Sequence, residues 1–204
     1  MALSKIQPAS MDLTANYAFT GTNSVAGIDY AEKKLATVTA SSSSTLDFTS
    51  NIDSTYNIYK FRFVNIHSSA TAELRFQGNA AGGSGFNETM TTTYFVSRHD
   101  ENGSNGTLGY DTGNDQANGT DFQRLADNFG ADDDSSLCGE LFLFDPSSTT
   151  FVKQFISTTQ YYQSAVPRTN NTFVSGYFNT TSAIDEIQFK MSSGNIDSGT
   201  IEMY

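Results

Sequence analysis

The sequence predicts an all-β fold: a jelly-roll-like antiparallel β-sandwich with one short helix and an extended N-terminal arm. Three observations carry that prediction. Apolar and polar residues alternate along short segments, as where Ile187, Phe189 and Met191 interleave with Gln188 and Lys190, which is the period of a strand with one buried face. Such segments recur at roughly 8–15-residue spacing, separated by clusters of Gly, Asn, Ser and Asp that accept turn dihedrals or bond to their own backbone. The third is composition. Sixteen Phe and ten Tyr supply a core without Trp, and only 16% of residues are charged, against roughly 25% in an ordinary domain.

A chain of 204 residues buries roughly 70% of its unfolded surface on folding, so a core can form without disulfides. The reading divides it into an arm, 1–35, and a sandwich domain, 36–204. In the arm, Leu13, Ala15, Tyr17 and Phe19 alternate with Thr14, Asn16 and Ala18, and Gly21 and Gly27 break the pattern. Residues 30–35 allow one helical turn. An arm of this kind either folds back on its own domain or adds to a neighbour's sheet.

From residue 36, short strands at 37–39 and 46–48 flank a Ser41–Ser44 linker. The strongest strand is 56–66, where Tyr59, Phe61 and Phe63 mark one face and Ile58, Val64 and Ile66 the other, as in a central strand covered on both sides. Ala72, Leu74 and Phe76 form the next, then residues 90–97. Residues 98–120 read as the longest loop. Asp121 is placed to cap a short helix with Phe122, Leu125, Ala126 and Phe129 on one face and Gly130 at its end. Strands resume at 140–144, around Phe151, Lys153 and Phe155, and at 173–178, with 157–171 read as a loop holding Tyr161, Tyr162 and Pro167. Residues 184–204 read as a closing hairpin.

Charge and chemistry narrow the function. A net charge of −11 with eleven dispersed basic residues argues against nucleic acid, which needs clustered Lys and Arg. No apolar run approaches the roughly 20 residues of a membrane span, and the start of the chain has no apolar signal-peptide core, so synthesis in a cytoplasm is expected. The single Cys138 sits in an apolar run and reads as a buried, inert thiol. His67 and His99 have no nucleophile motif beside them, so no catalytic residue is assigned and a non-enzymatic protein is expected. Asp100, Asn102, Ser104 and Asp111 were set against a calcium loop, but Asn105 stands where the required Gly belongs. No metal or cofactor is expected. Tyr110, Tyr161 and Tyr162 are the candidate ligand-binding residues, placed in loops where a ring can stack on a sugar.

Several stretches carry a likeness. The opening Met1-Ala-Leu-Ser-Lys-Ile-Gln-Pro8, the run from Tyr56 to His67, Tyr110 to Asp115, Phe144 to Lys153, and Ala183 to Tyr204 together resemble virion structural proteins of marine tailed bacteriophages. The likeness covers most of the chain from about residue 45. It implies a tail fibre or appendage, or a head decoration protein, located in the virion. Its expected partners are other virion proteins and sister copies (a trimer by analogy); the alternative is a receptor- or glycan-binding module that meets a host surface glycan through the loops 98–120 and 157–171, with Tyr110, Tyr161 and Tyr162. It supplies no catalytic residues.

Overall fold

The structure, a computed structural model, describes residues 32–204. The expected arm strand at Leu13–Phe19 lies outside the described residues. Of the expected turn at 30–35, residues 32–35 are extended, and Leu35 N–H donates to the Met203 carbonyl at 2.8 Å.

Twelve strands follow one another: β1 (Ala36–Thr39), β2 (Thr45–Phe48), β3 (Ile58–Ser68), β4 (Leu74–Ala80), β5 (Met90–Asp100), β6 (Gly106–Tyr110), β7 (Gln123–Arg124), β8 (Leu137–Phe144), β9 (Lys153–Gln163), β10 (Arg168–Phe178), β11 (Ile184–Met191) and β12 (Ile196–Met203). They form an antiparallel sandwich of unequal layers. One sheet has the order β1-β12-β3-β8-β9-β10-β5-β6 and the other β2-β11-β4-β7. Successive strands repeatedly change layer, so the Ser41–Ser44 linker is a crossing from one sheet to the other.

The core lies between the layers, where alternate residues of both sheets meet. Phe189 on β11 is its hub. Its ring centroid lies 5.3 Å from that of Phe63, 5.6 Å from Phe61, 6.2 Å from Phe48 and 6.3 Å from Phe76. Phe76 passes the contact on to Phe155 at 5.0 Å. Edge-to-face aromatic pairs of this kind add to the burial of their area.

The closing segment is not a hairpin. β11 pairs with β2 and β4, whereas β12 pairs with β1 and β3. The two strands lie in different layers and both feed the core, Ile187, Phe189 and Met191 from one and Ile196, Ile201 and Met203 from the other, all buried. Alternation fixes which side of a strand is apolar, not which strand it bonds.

Nor does the segment 121–130 form a helix. β7 runs along β4, and Leu125 N–H donates to the Leu74 carbonyl at 2.7 Å. An isolated helix this short is marginal, and here the sheet edge satisfies its backbone donors. Leu125, Ala126 and Phe129 are still buried. Phe122 instead lies under the Lys190 ammonium, 3.7 Å from the ring centroid.

Residues 98–120 are largely ordered: β5 extends to Asp100, and β6 turns back along it. Likewise 157–171 is a hairpin of β9 and β10, closed by the turn at 164–167. Lys153 points inward and its ammonium donates to the Phe151 carbonyl at 2.6 Å, while Phe151 itself is exposed.

β3 is covered on one face only. Tyr59, Phe61 and Phe63 are buried while Ile58 and Val64 are exposed. Ile66 nevertheless reaches the core because Asn65 adopts a φ of 49° and shifts the register with β8 between Phe63 and Ile66. The extra residue of a β-bulge inverts the parity of everything beyond it. On β12 the matching irregularity is at Gly199, with φ of 103°. Cys138, beside the bulge, is exposed rather than buried. Its thiol sulfur lies 3.4 Å from Asn65 N and Oδ1.

Candidate functional site

The second sheet covers one face of the eight-stranded sheet, leaving the residues of opposite parity on the outer face. Pairing register sets them in rows. One row crosses all eight strands: Thr37, Glu202, Arg62, Glu140, Thr158, Phe173, Phe95 and Tyr110. The Phe95 and Phe173 rings stack at 4.8 Å with 12° between planes.

Along the strand direction the outer face divides into two zones. At the end where β3 begins it carries an apolar cluster on β3, β8 and β9, beside Lys60. Ile58 is 52% and Ile156 50% exposed, with Phe142 and Phe144 stacked beside them at 6.3 Å. At the opposite end it is mixed, with acidic, neutral polar and apolar side chains together. There a cleft of about 230 Å³ is lined by His99, Glu101, Gln160, Tyr161, Tyr162 and Thr169. It shares Gln160 with a groove of about 460 Å³ reaching Asn171, Thr158, Glu140, Cys138 and Val64. Gly139 helps shape this groove: a Cβ there would lie 2.3 Å from the Thr158 carbonyl oxygen, so β8 and β9 approach closely only with glycine at that position.

The three candidate tyrosines do not converge. Tyr110 ends β6, exposed, and its hydroxyl donates to the Asp115 carboxylate, which raises its pKa. Tyr162 is half-buried on the outer face in the row with Thr169 and His99. Four residues and three strands separate it from Tyr110, roughly 20 Å from the strand rise and spacing. Tyr161 is buried, which corrects its place as a loop residue. Its hydroxyl accepts from Asp127 N–H at 3.0 Å, its ring packs on Phe129, and burial raises its pKa. That is a structural role.

His67, between the inward Ile66 and Ser68, lies at the far end of β3, with Nε2 3.2 Å from the Asp132 carbonyl oxygen and Nδ1 3.5 Å from the Asp197 carboxylate. The calcium-loop candidates separate as well. Asp100 accepts from Ser104 Oγ in the β5–β6 turn, whereas Asp111 lies beyond β6 and accepts from Gly113 N–H and Asn114. Among the described residues no group of three or more His, Cys, Asp or Glu is arranged to hold a metal ion, and no helix is long and apolar enough to cross a membrane.

Comparison with protein-family models, with curated proteins and with solved structures finds no match to this chain.

The alternation of residue types did not reveal the apolar outer zone or the groove beside Gln160. One signal was visible: Leu141-Phe-Leu-Phe144 is apolar on both parities, the mark of a strand whose outer face is also adhesive. The groove left no such signal, because Gln160, Asn171 and Thr169 become neighbours only through strand pairing.

One titratable group fastens the β12 side of this face. Glu202 accepts from Lys34 at 2.9 Å, from Arg62 Nε at 3.0 Å and from the Tyr204 hydroxyl at 3.0 Å, holding its pKa at about 2. A carboxylate with a depressed folded pKa contributes stability above its unfolded value, and that contribution is lost as pH falls toward the folded one. Melting temperature should therefore fall between about pH 4.5 and pH 2 more steeply in the native protein than in Glu202→Gln. Parallel acid limbs in the two proteins would refute the latch.

Proposed function

We propose that this protein is a non-enzymatic structural component of a tailed-phage virion, attached by residues 1–35 and displaying the sandwich 36–204. The observation that carries the reading is the apolar outer zone, Ile58, Phe142, Phe144 and Ile156, on the surface of an otherwise acidic, hydroxyl-rich chain. Exposed apolar patches on a rigid sheet mark contact surfaces between proteins, and a component packed among virion proteins needs one. The likeness to marine phage virion proteins supports the same reading. A symmetric homo-oligomer is expected, a trimer by analogy with fibres and decorations.

A second reading, binding of a host surface glycan, is favoured by the cleft that Tyr162 lines and the groove that continues from it past Gln160. One experiment addresses both. Particles are assembled with the chain lacking residues 1–30, or carrying Tyr162→Ala, and assayed for incorporation by mass spectrometry and for adsorption to host cells. Loss of the truncated chain from particles, with its β circular dichroism intact, is the expected result. Undiminished incorporation overturns the attachment role. Lost adsorption with Tyr162→Ala, at normal incorporation, moves the weight to the glycan reading.

A further inference from the structure

An edge strand leaves one side of its backbone unpaired, and proteins protect such edges with charge, proline, bulges or shortness. Among the described residues, three of the four sheet edges are protected in this way. β1 has four residues preceded by Lys33 and Lys34, β2 has four and carries Asp47, and β7 has two, one of them Arg124. β6 is different. Its sequence Gly-Thr-Leu-Gly-Tyr holds no charge and no proline, its register with β5 is unbroken, and all five residues are exposed, Leu108 by 73%.

The direction of its free groups follows from the bonds at its two ends. Asp100 N–H donates to the Asn105 carbonyl and Asp111 N–H to the Tyr94 carbonyl, each at 2.9 Å. In an antiparallel ladder the residues that bond inward alternate with those that bond outward. Residues 105, 107, 109 and 111 therefore turn their backbone groups to β5, and Gly106, Leu108 and Tyr110 turn theirs away from the sheet.

We propose that β6 is the contact of a two-fold homodimer, in which the β6 strands of two copies pair antiparallel with Leu108 opposite its own counterpart. This register uses every outward group. Gly106, Leu108 and Tyr110 each offer one N–H and one C=O, so three residues close six bonds between copies. The side chains are complementary in the same register. Tyr110 of each copy lies over Gly106 of the other, Thr107 faces Gly109, and the two Leu108 side chains meet on the axis. A sequence that reads large against glycine in both directions fits itself and an isologous interface. The absence of charge on β6 also removes short-range repulsion between copies of a chain carrying −11. The contact joins the two eight-stranded sheets edge to edge, and the apolar strip of Tyr110, Phe95 and Phe173 continues inward from it on each side. It depends neither on the virion reading nor on the three-fold assembly expected there.

Sedimentation of the full-length chain over a concentration series tests it. The native protein should double its mass with concentration. Leu108→Lys, at a side chain open to solvent and so without effect on the circular dichroism, should shift that transition at least tenfold to higher concentration. Phe151→Lys, at an exposed apolar side chain away from β6, should leave it in place. A mass of one chain throughout, or of two or three chains unaffected by Leu108→Lys, overturns the proposal. Leu108→Cys in a Cys138→Ser background adds a second readout, since opposed residues in a bonded pair lie roughly 5.5 Å apart at Cα, within reach of a disulfide. Oxidation should yield a covalent dimer, and failure to form one also counts against the register.

Discussion

Phe189→Ala is expected to cost about 3–5 kcal/mol, the range for removing a fully buried phenylalanine. Against a total stability of about 5–15 kcal/mol, that leaves the sandwich marginal or unfolded at room temperature. The residue earns this place by position. It is wholly buried on β11, a central strand of the smaller sheet, and touches rings from β2, β3 and β4. The surrounding groups belong to strands of both layers, so the void cannot close without moving one sheet against the other. Urea denaturation followed by circular dichroism measures the loss. A change below about 1.5 kcal/mol, inside the range of volume-conserving swaps, would mean that the aromatic cluster does not hold the layers together.

Gly199→Ala is expected to be nearly as damaging for a different reason. At φ of 103° the backbone lies outside the small left-handed region open to other residues, and a Cβ built there falls 2.4 Å from the Asn65 carbonyl oxygen. Strain and the clash with the partner strand together give about 3 kcal/mol or more. Gly109→Ala, on β6 with open space around its Cβ, should change stability by less than about 0.5 kcal/mol. Equal effects at the two sites would show that the paired bulges are not obligatory.

Those bulges also explain how far the sequence could be read. Period-2 alternation located nearly every strand and the inward positions of Phe61, Phe155 and Phe189, all buried. It failed at β3, where Asn65 inserts one residue and carries Ile66 inward, so that apolar residues on both parities looked like two covered faces. It was silent on pairing, which is why β11 and β12 looked like a hairpin. The supposed helix at 121–130 had the right spacing of apolar residues, but the edge of β4 offered its backbone better partners. Of the candidate site, Tyr162 lies where a ligand could reach it, whereas Tyr161 is one residue away and buried. A shift of one position along a strand is a change of face, and only the pairing partners reveal which face is covered.

The place of β12 has a consequence for how the protein is made. Among the described strands its sheet neighbours are β1 and β3, yet it is translated after every other strand described. Among the described strands β1 bonds to no other, so a nascent chain short of residues 196–203 leaves β1 without that partner on the ribosome. Pairings that span nearly the whole sequence are slow to form, and until then the open flank of β3 is available to any other unfinished chain nearby.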